Sequence, residues 1–233
     1  MPATQHSELS IVVDESCVSL REEPANLGPL MVFHRPTGLF ADPVESAEAL
    51  HIQLEQQVSG PVIYVAASYA AFTALHLADR YRSSVAGIVL VDGSHPRQSA
   101  AALAELPDDL SETQEISSFR SYLQGFGPRW EQSCAAVASI GSLGNLPLIA
   151  LAAGDLEMPT TLPADIRRRL LLVWHSLQRD HAWRSSRGEL RIVANSGHNI
   201  AQDDPAAVIQ AIKDIAAVAA RDIAVPNGQR RLL

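Results

Sequence analysis

Val62-Ile63-Tyr64-Val65-Ala66-Ala67-Ser68-Tyr69-Ala70-Ala71-Phe72 is the stretch that decides the fold. Its first half is an unbroken apolar run, as a strand covered on both faces requires. From Ala70 onward it reads as a helix, with no room for a loop between. One serine sits at the join. Ala66 stands two before it and Ala70 two after it. A side chain presented on so sharp a turn needs strained backbone, and bulky neighbours at those positions would strike the adjoining strand and helix. Such a turn lifts the Ser68 hydroxyl above the sheet edge, beside the N–H groups that open the helix. The general form of the motif is G-x-S-x-G, and here it is Ala-x-Ser-x-Ala. On this segment alone two readings stay open: a nucleophile elbow, or a serine that merely caps a helix.

Outward from this unit the alternation repeats. Apolar runs at Ile11–Val13, Leu30–Phe33, Pro61–Ala66, Val85–Val91, Leu148–Ala153 and Leu190–Ala194 predict about six strands. Helical periodicity fills the gaps. Val44, Ala47, Leu50, Leu54 and Val58 share a face after Asp42-Pro43. Asp204-Pro205 reads as an N-cap with proline at the first helical position, and Val208, Ile212 and Ile215 stripe the helix beyond. The polar end from Val225 to Leu233 reads as frayed. The pattern predicts one α/β domain over residues 1–233, with a mostly parallel sheet flanked by helices. Residues 97–147 separate the fourth and fifth strands, with Phe119, Tyr122, Leu123, Phe126 and Trp130 supplying apolar weight. Open α/β sheets bind ligands at the carboxyl ends of their strands, so this insertion reads as a helical lid. An ordinary pair of packing helices is the plainer alternative.

The chain has 233 residues, 47% hydrophobic and 19% charged, which suits a sizeable core. Its formal net charge of -8 opposes phosphate backbones and anionic lipid, so neither nucleic acid nor membrane is an expected partner. Arg167, Arg168 and Arg169 read as a solvated helix face. Cys17 and Cys134 make neither a disulfide framework nor a C-x-x-C metal pair. Met1 to Leu9 lacks the regions of a signal peptide, and no apolar run approaches the ~18 residues of a membrane span, so a cytoplasmic protein is expected. No cofactor or metal is expected. Gly141 and Gly144 form no phosphate cradle, and His175, Asp180 and His181 do not share a clean helical face.

Other segments carry a resemblance. Gly60 to Pro96, which runs through Val85–Val91 into Asp92-Gly93-Ser94-His95-Pro96, resembles the elbow, helix and next strand of α/β-hydrolases of the serine esterase and lactonase type. Ser196-Gly197-His198, followed by Asp203-Asp204-Pro205 and an amphipathic helix, resembles that family's histidine loop and last helix. His34-Arg35-Pro36-Thr37-Gly38 resembles the turn after an earlier strand, and Trp174 to Ser186 the helix before the histidine strand. The resemblance covers most of Ile11 to Ala219.

The resemblance implies a serine hydrolase acting on a small ester, lactone or thioester through an acyl-enzyme. Ser68 takes the place of the nucleophile and His198 that of the general base. The acid is either Asp92, which ends the strand after the elbow, or Asp155, in Ala153-Gly154-Asp155 after the next strand. Asp92 is preferred because the segment after Asp155 looks irregular. The oxyanion donors are the Tyr69 N–H and, from the loop Asp14-Glu15-Ser16-Cys17-Val18, the Cys17 N–H. The apolar lid residues point to a moderately hydrophobic small-molecule substrate.

Three features depart from the family pattern. The chain opens at what looks like the family's third strand, which leaves a sheet edge through which a homodimer is conceivable. Ala67 stands where histidine is common, and Ala66, Ala70 and Ala71 where glycines are. The loop that holds Cys17 lacks the family's glycines and carries Glu15, whose charge would oppose an oxyanion. These departures keep two alternatives open: a non-hydrolytic cyclase or isomerase that uses His198 without acylation, and a catalytically inactive binding protein.

Overall fold

The computed structural model describes residues 12–13, 31–34, 41–57, 60–107 and 113–224. In chain order the elements are β1 (Val12–Val13), β2 (Met31–His34), α1 (Pro43–Gln57), β3 (Val62–Ala67), α2 (Ala70–Arg80), a 3-10 turn (Arg82–Ser84), β4 (Val85–Val91), α3 (Gln98–Leu103), α4 (Gln114–Gln124), α5 (Gly127–Ala138), β5 (Leu148–Ala153), α6 (Ala164–Trp183), β6 (Gly188–Val193), α7 (Ile200–Asp203) and α8 (Pro205–Ala224). The strands form one six-stranded sheet in sequence order. Every neighbouring pair is parallel. Parallel neighbours need a crossover, and the helices supply it. All six strands therefore end at the same edge, and the turns after β3, β4, β5 and β6 gather there.

Both faces of the sheet are covered, which explains runs without polar alternation. Tyr64, Ala66, Ile88, Leu90, Leu148 and Ala150 pack on one face with Phe72, Leu75 and Leu77 of α2. Ile63, Val65, Val89, Val91, Ile149 and Leu151 pack on the other with Val208, Ile212 and Ile215 of α8. Phe72 is fully buried, and truncating such a side chain to alanine removes about 3–5 kcal/mol of stability. A smaller core joins the insertion between β4 and β5 to the segment after β5. Leu106, Ile116 and Leu123 pack with Leu162, Ile166 and Leu170, which binds α4 to the first half of α6.

The sequence-read elements lie close to the observed ones. β4 and β5 have the bounds read from the chain. β6 begins at Gly188, two residues before the apolar run. It is the last strand of the sheet and is less covered than the others, with Glu189 exposed and Ile192 half-exposed. α6 is longer than the Trp174–Ser186 segment and begins at Ala164. α8 opens as read, with the Ala207 N–H donating to Asp204 Oδ1 at 3.1 Å. Val58 and the segment from Val225 lie outside the described residues. Among the described residues no helix is long and apolar enough to cross a membrane.

Candidate active site

Ser68 stands between the end of β3 and the start of α2 with φ +52°, in the left-handed region that side chains avoid. Three hydrogen bonds hold it there. The Ser68 N–H donates to the Val91 carbonyl (3.1 Å), and the Ser68 carbonyl accepts from Ala71 N–H (3.1 Å) and Ser94 N–H (2.9 Å). Strain of about 1–3 kcal/mol persists only where surroundings dictate it, and here the turn after β4 does so. The N-cap of α2 is Tyr69, and no side chain caps it, so the serine hydroxyl is not a cap. Ala66, Ala70 and Ala71 are fully buried, which is why the bend tolerates nothing larger. The Tyr69 hydroxyl lies 2.7 Å from both the Ala41 carbonyl and Ser133 Oγ and ties the start of α2 to α5.

His198 follows β6 on a turn closed from below. Asp203 Oδ2 accepts from the Gly197 N–H at 2.9 Å. The Ser196 carbonyl accepts from the N–H groups of Gly154 and Asp155. A Cβ on Gly197 would lie 2.5 Å from the Glu157 carboxyl carbon, the movable end of an exposed side chain, so a larger residue before the histidine would displace that carboxylate. The half-exposed imidazole then bridges two groups. Its Nε2 is 3.1 Å from Ser68 Oγ, and its Nδ1 is 2.6 Å from Asp92 Oδ2.

Asp92 is fully buried and, like Ser68, has positive φ, +47°. Its N–H donates to the Leu151 carbonyl (2.9 Å), which locks the bend against β5. Oδ1 accepts from the Ala153 N–H (2.8 Å) and from the Trp174 indole N–H (2.7 Å). Both contacts are donors with no lone pair to offer, so a proton on Oδ1 would face other hydrogens. Oδ1 therefore acts as an acceptor only. Oδ2 calls for the proton on Nδ1 of His198, which leaves the Nε2 lone pair directed at the serine hydroxyl. The arrangement can withdraw a proton from Ser68 and hold the positive charge that results.

The structure thus brings Ser68, His198 and Asp92 into one hydrogen-bonded row. Asp155 stands outside it: its Oδ1 accepts from the Glu157 N–H at 3.0 Å, and it is exposed. Tyr69 directly follows the serine at the head of α2. Cys17 lies outside the described residues. Cys134, in α5, is half-buried, and burial pushes its thiol up to about 12. His175, Asp180 and His181 each bond a different partner, and no metal-holding group of side chains occurs among the described residues. Trp174 was not singled out by sequence reading. The only available signal was its place on a helix preceding the histidine strand. A cavity of about 700 Å³ opens between α4, at Phe119 and Tyr122, and the loop after β5, at Leu156, Glu157 and Met158. Ser68, Asp92 and His198 are not among its lining residues; Glu157 lines it and also faces Gly197.

A profile of the alpha/beta hydrolase family matches residues 25–211. No curated protein matches the chain. Among solved structures, a thermophilic esterase from Thermogutta terrifontis is similar with a TM-score of 0.47 and 15% identity, over 80% of this chain and 75% of that one. A structure from work on carboxylesterases of the thaumarchaeon Nitrososphaera gargenis is similar with a TM-score of 0.45 and 13% identity, over 81% of this chain and 76% of that one.

Proposed function

The chain belongs to the alpha/beta hydrolase family, and from that premise we propose that it is a serine hydrolase cleaving a small ester, lactone or thioester through an acyl-enzyme at Ser68. The observation that carries this reading is the row Ser68 Oγ, His198 Nε2 at 3.1 Å, and His198 Nδ1 to Asp92 Oδ2 at 2.6 Å. His198 takes the hydroxyl proton as Ser68 attacks the substrate carbonyl, and Asp92 holds the imidazolium that forms. The tetrahedral oxyanion receives the Tyr69 N–H, with a second donor assigned to Cys17 on sequence grounds. The imidazolium then protonates the leaving group. Water, deprotonated by the same ring, releases the acyl group and restores the serine.

The 97–147 insertion is read as a lid, and its apolar side chains Phe119 and Tyr122, on the wall of the neighbouring cavity, favour a small, partly apolar substrate. The net charge of -8 favours such a substrate over nucleic acid or an anionic membrane. The short serine–histidine distance also weighs against a catalytically inactive binding protein, which has no need to keep those groups in proton-transfer reach.

A fluorophosphonate probe with mass mapping of the labelled residue tests the proposal. The expected result is one adduct, on Ser68, lost in Ser68→Ala. No adduct, or labelling that survives Ser68→Ala, removes the reading.

A further inference from the structure

One face of α6 runs along the turn that follows β4. Trp174, Gln178 and His181 stand at helical spacings of four and three, so they share that face. Each holds a successive residue of the turn. Trp174 Nε1 donates to Asp92 Oδ1 (2.7 Å), Gln178 Nε2 to the Gly93 carbonyl (2.7 Å), and His181 Nε2 to the Ser94 carbonyl (2.9 Å). Asp180, beside them, accepts from His95 Nε2 at 2.9 Å. His175 Nε2 donates to the Ala153 carbonyl (2.9 Å), and the N–H of that same residue is the second donor on Asp92 Oδ1. Gln178, His181 and His95 are fully buried, so this ladder is dry along most of its length.

We propose that Trp174 is a positioning residue for the reaction, its indole N–H fixing the Asp92 carboxylate so that Oδ2 alone addresses His198. The proposal rests on His198 acting as the general base. Indole is a donor only and does not titrate, so it cannot exchange roles with the carboxylate as a histidine or serine would. Two N–H groups on Oδ1 also draw negative charge away from Oδ2. That moderates the pull of Oδ2 on the imidazolium. Trp174 acts on the chemistry only through Asp92. The rest of the ladder prevents the turn from sliding along α6.

Trp174→Phe keeps an aromatic ring and deletes the donor. On an activated ester, kcat should fall about tenfold while KM changes less than about twofold. With Oδ1 less satisfied, the carboxylate pulls harder on the imidazolium, and the acid limb of the pH profile of kcat/KM should move up by about half a unit. An acid limb that stays in place or moves down overturns the proposal, whatever kcat does.

Fluorine NMR of protein labelled with 5-fluorotryptophan gives a readout that needs no turnover. The chain has three tryptophans, and Trp130→Phe and Trp183→Phe assign the Trp174 signal by elimination, so Trp174→Phe need not fold. That signal should titrate with the midpoint of His198, should do so in Ser68→Ala as well, and should cease to titrate in His198→Gln. A signal that stays flat through that range overturns the proposal. If Ser68→Ala keeps full turnover, the acyl-enzyme reading falls, and the fluorine titration still decides the part played by Trp174.

Discussion

His198 Nδ1 and Asp92 Oδ2 lie 2.6 Å apart although 106 positions of chain separate them. Parallel β4, β5 and β6 lie side by side, so the turns that leave β4 and β6 emerge at one edge. Asp155 leaves the strand between them, yet its side chain closes its own loop on the Glu157 N–H. Asp92→Asn should therefore lower kcat about 10³- to 10⁴-fold by presenting an amide donor to Nδ1 and reversing the tautomer. Asp155→Asn should change kcat by less than about threefold, since no step of the reaction uses it. Steady-state kinetics on one activated ester compares the two, and a larger loss in Asp155→Asn would reverse the assignment.

The backbone at Ser68 predicts an ordering of stabilities. A side chain at φ +52° is strained, and glycine is not. Ser68→Gly and Ser68→Ala should both be inactive, but the glycine protein should be more stable by about 1 kcal/mol. For a chain of this size that is a difference in Tm of about 2–4 °C. Calorimetry of the pair checks it, and an alanine protein that melts higher would mean the bend carries no strain.

Gly188 opens β6 where the end of α6 comes down on it. A Cβ there would stand 1.7 Å from the Ala182 carbonyl oxygen, a backbone atom with nowhere to go. Gly188→Ala should cost at least about 3 kcal/mol in urea unfolding, by overpacking. Gly141, where a Cβ meets nothing within 4 Å, is the contrast: Gly141→Ala should stay within about 0.5 kcal/mol of wild type. Equal effects at the two glycines would refute the packing argument.

Acid should weaken the fold through two buried histidines. Burial pushes His95 down to about 4, with Asp180 partly offsetting it. Burial, joined by the nearby His95 and Arg184, pushes His181 down to about 3. Above the unfolded value of 6.5 both states are neutral, and these groups add no pH dependence. Below it the unfolded chain binds protons that the folded chain refuses, so stability falls as pH drops from 6.5 toward about 4. The slope is at most about 1.4 kcal/mol per pH unit for each histidine. Urea midpoints measured across that range should decline steadily. A midpoint that rises on acidification would show that these rings are charged in the folded protein.

Much of this molecule was legible in its chain. The β3–α2 unit, with alanines at either side of Ser68, marked the strand-to-helix join, though an elbow and a helix cap both fitted it. The glycine before His198 and the Asp204-Pro205 cap marked the last turn and helix. Trp174 was not legible, because its partner is 82 positions away on another element. The neighbours His175, Asp180 and His181 invited a joint reading, yet each side chain reaches a different segment.

By itself the sequence determined the six strands and the helices between them, because periodicity, small residues and caps act over a few neighbouring positions; Ser68 and His198 were picked out through the resemblance to a family. That Asp92, and not Asp155, bonds the His198 ring, and that Trp174 holds that carboxylate, came only from tertiary structure. Those contacts join strand ends and a helix face far apart in the chain, and only the order of the strands and the seating of α6 bring them within hydrogen-bond reach.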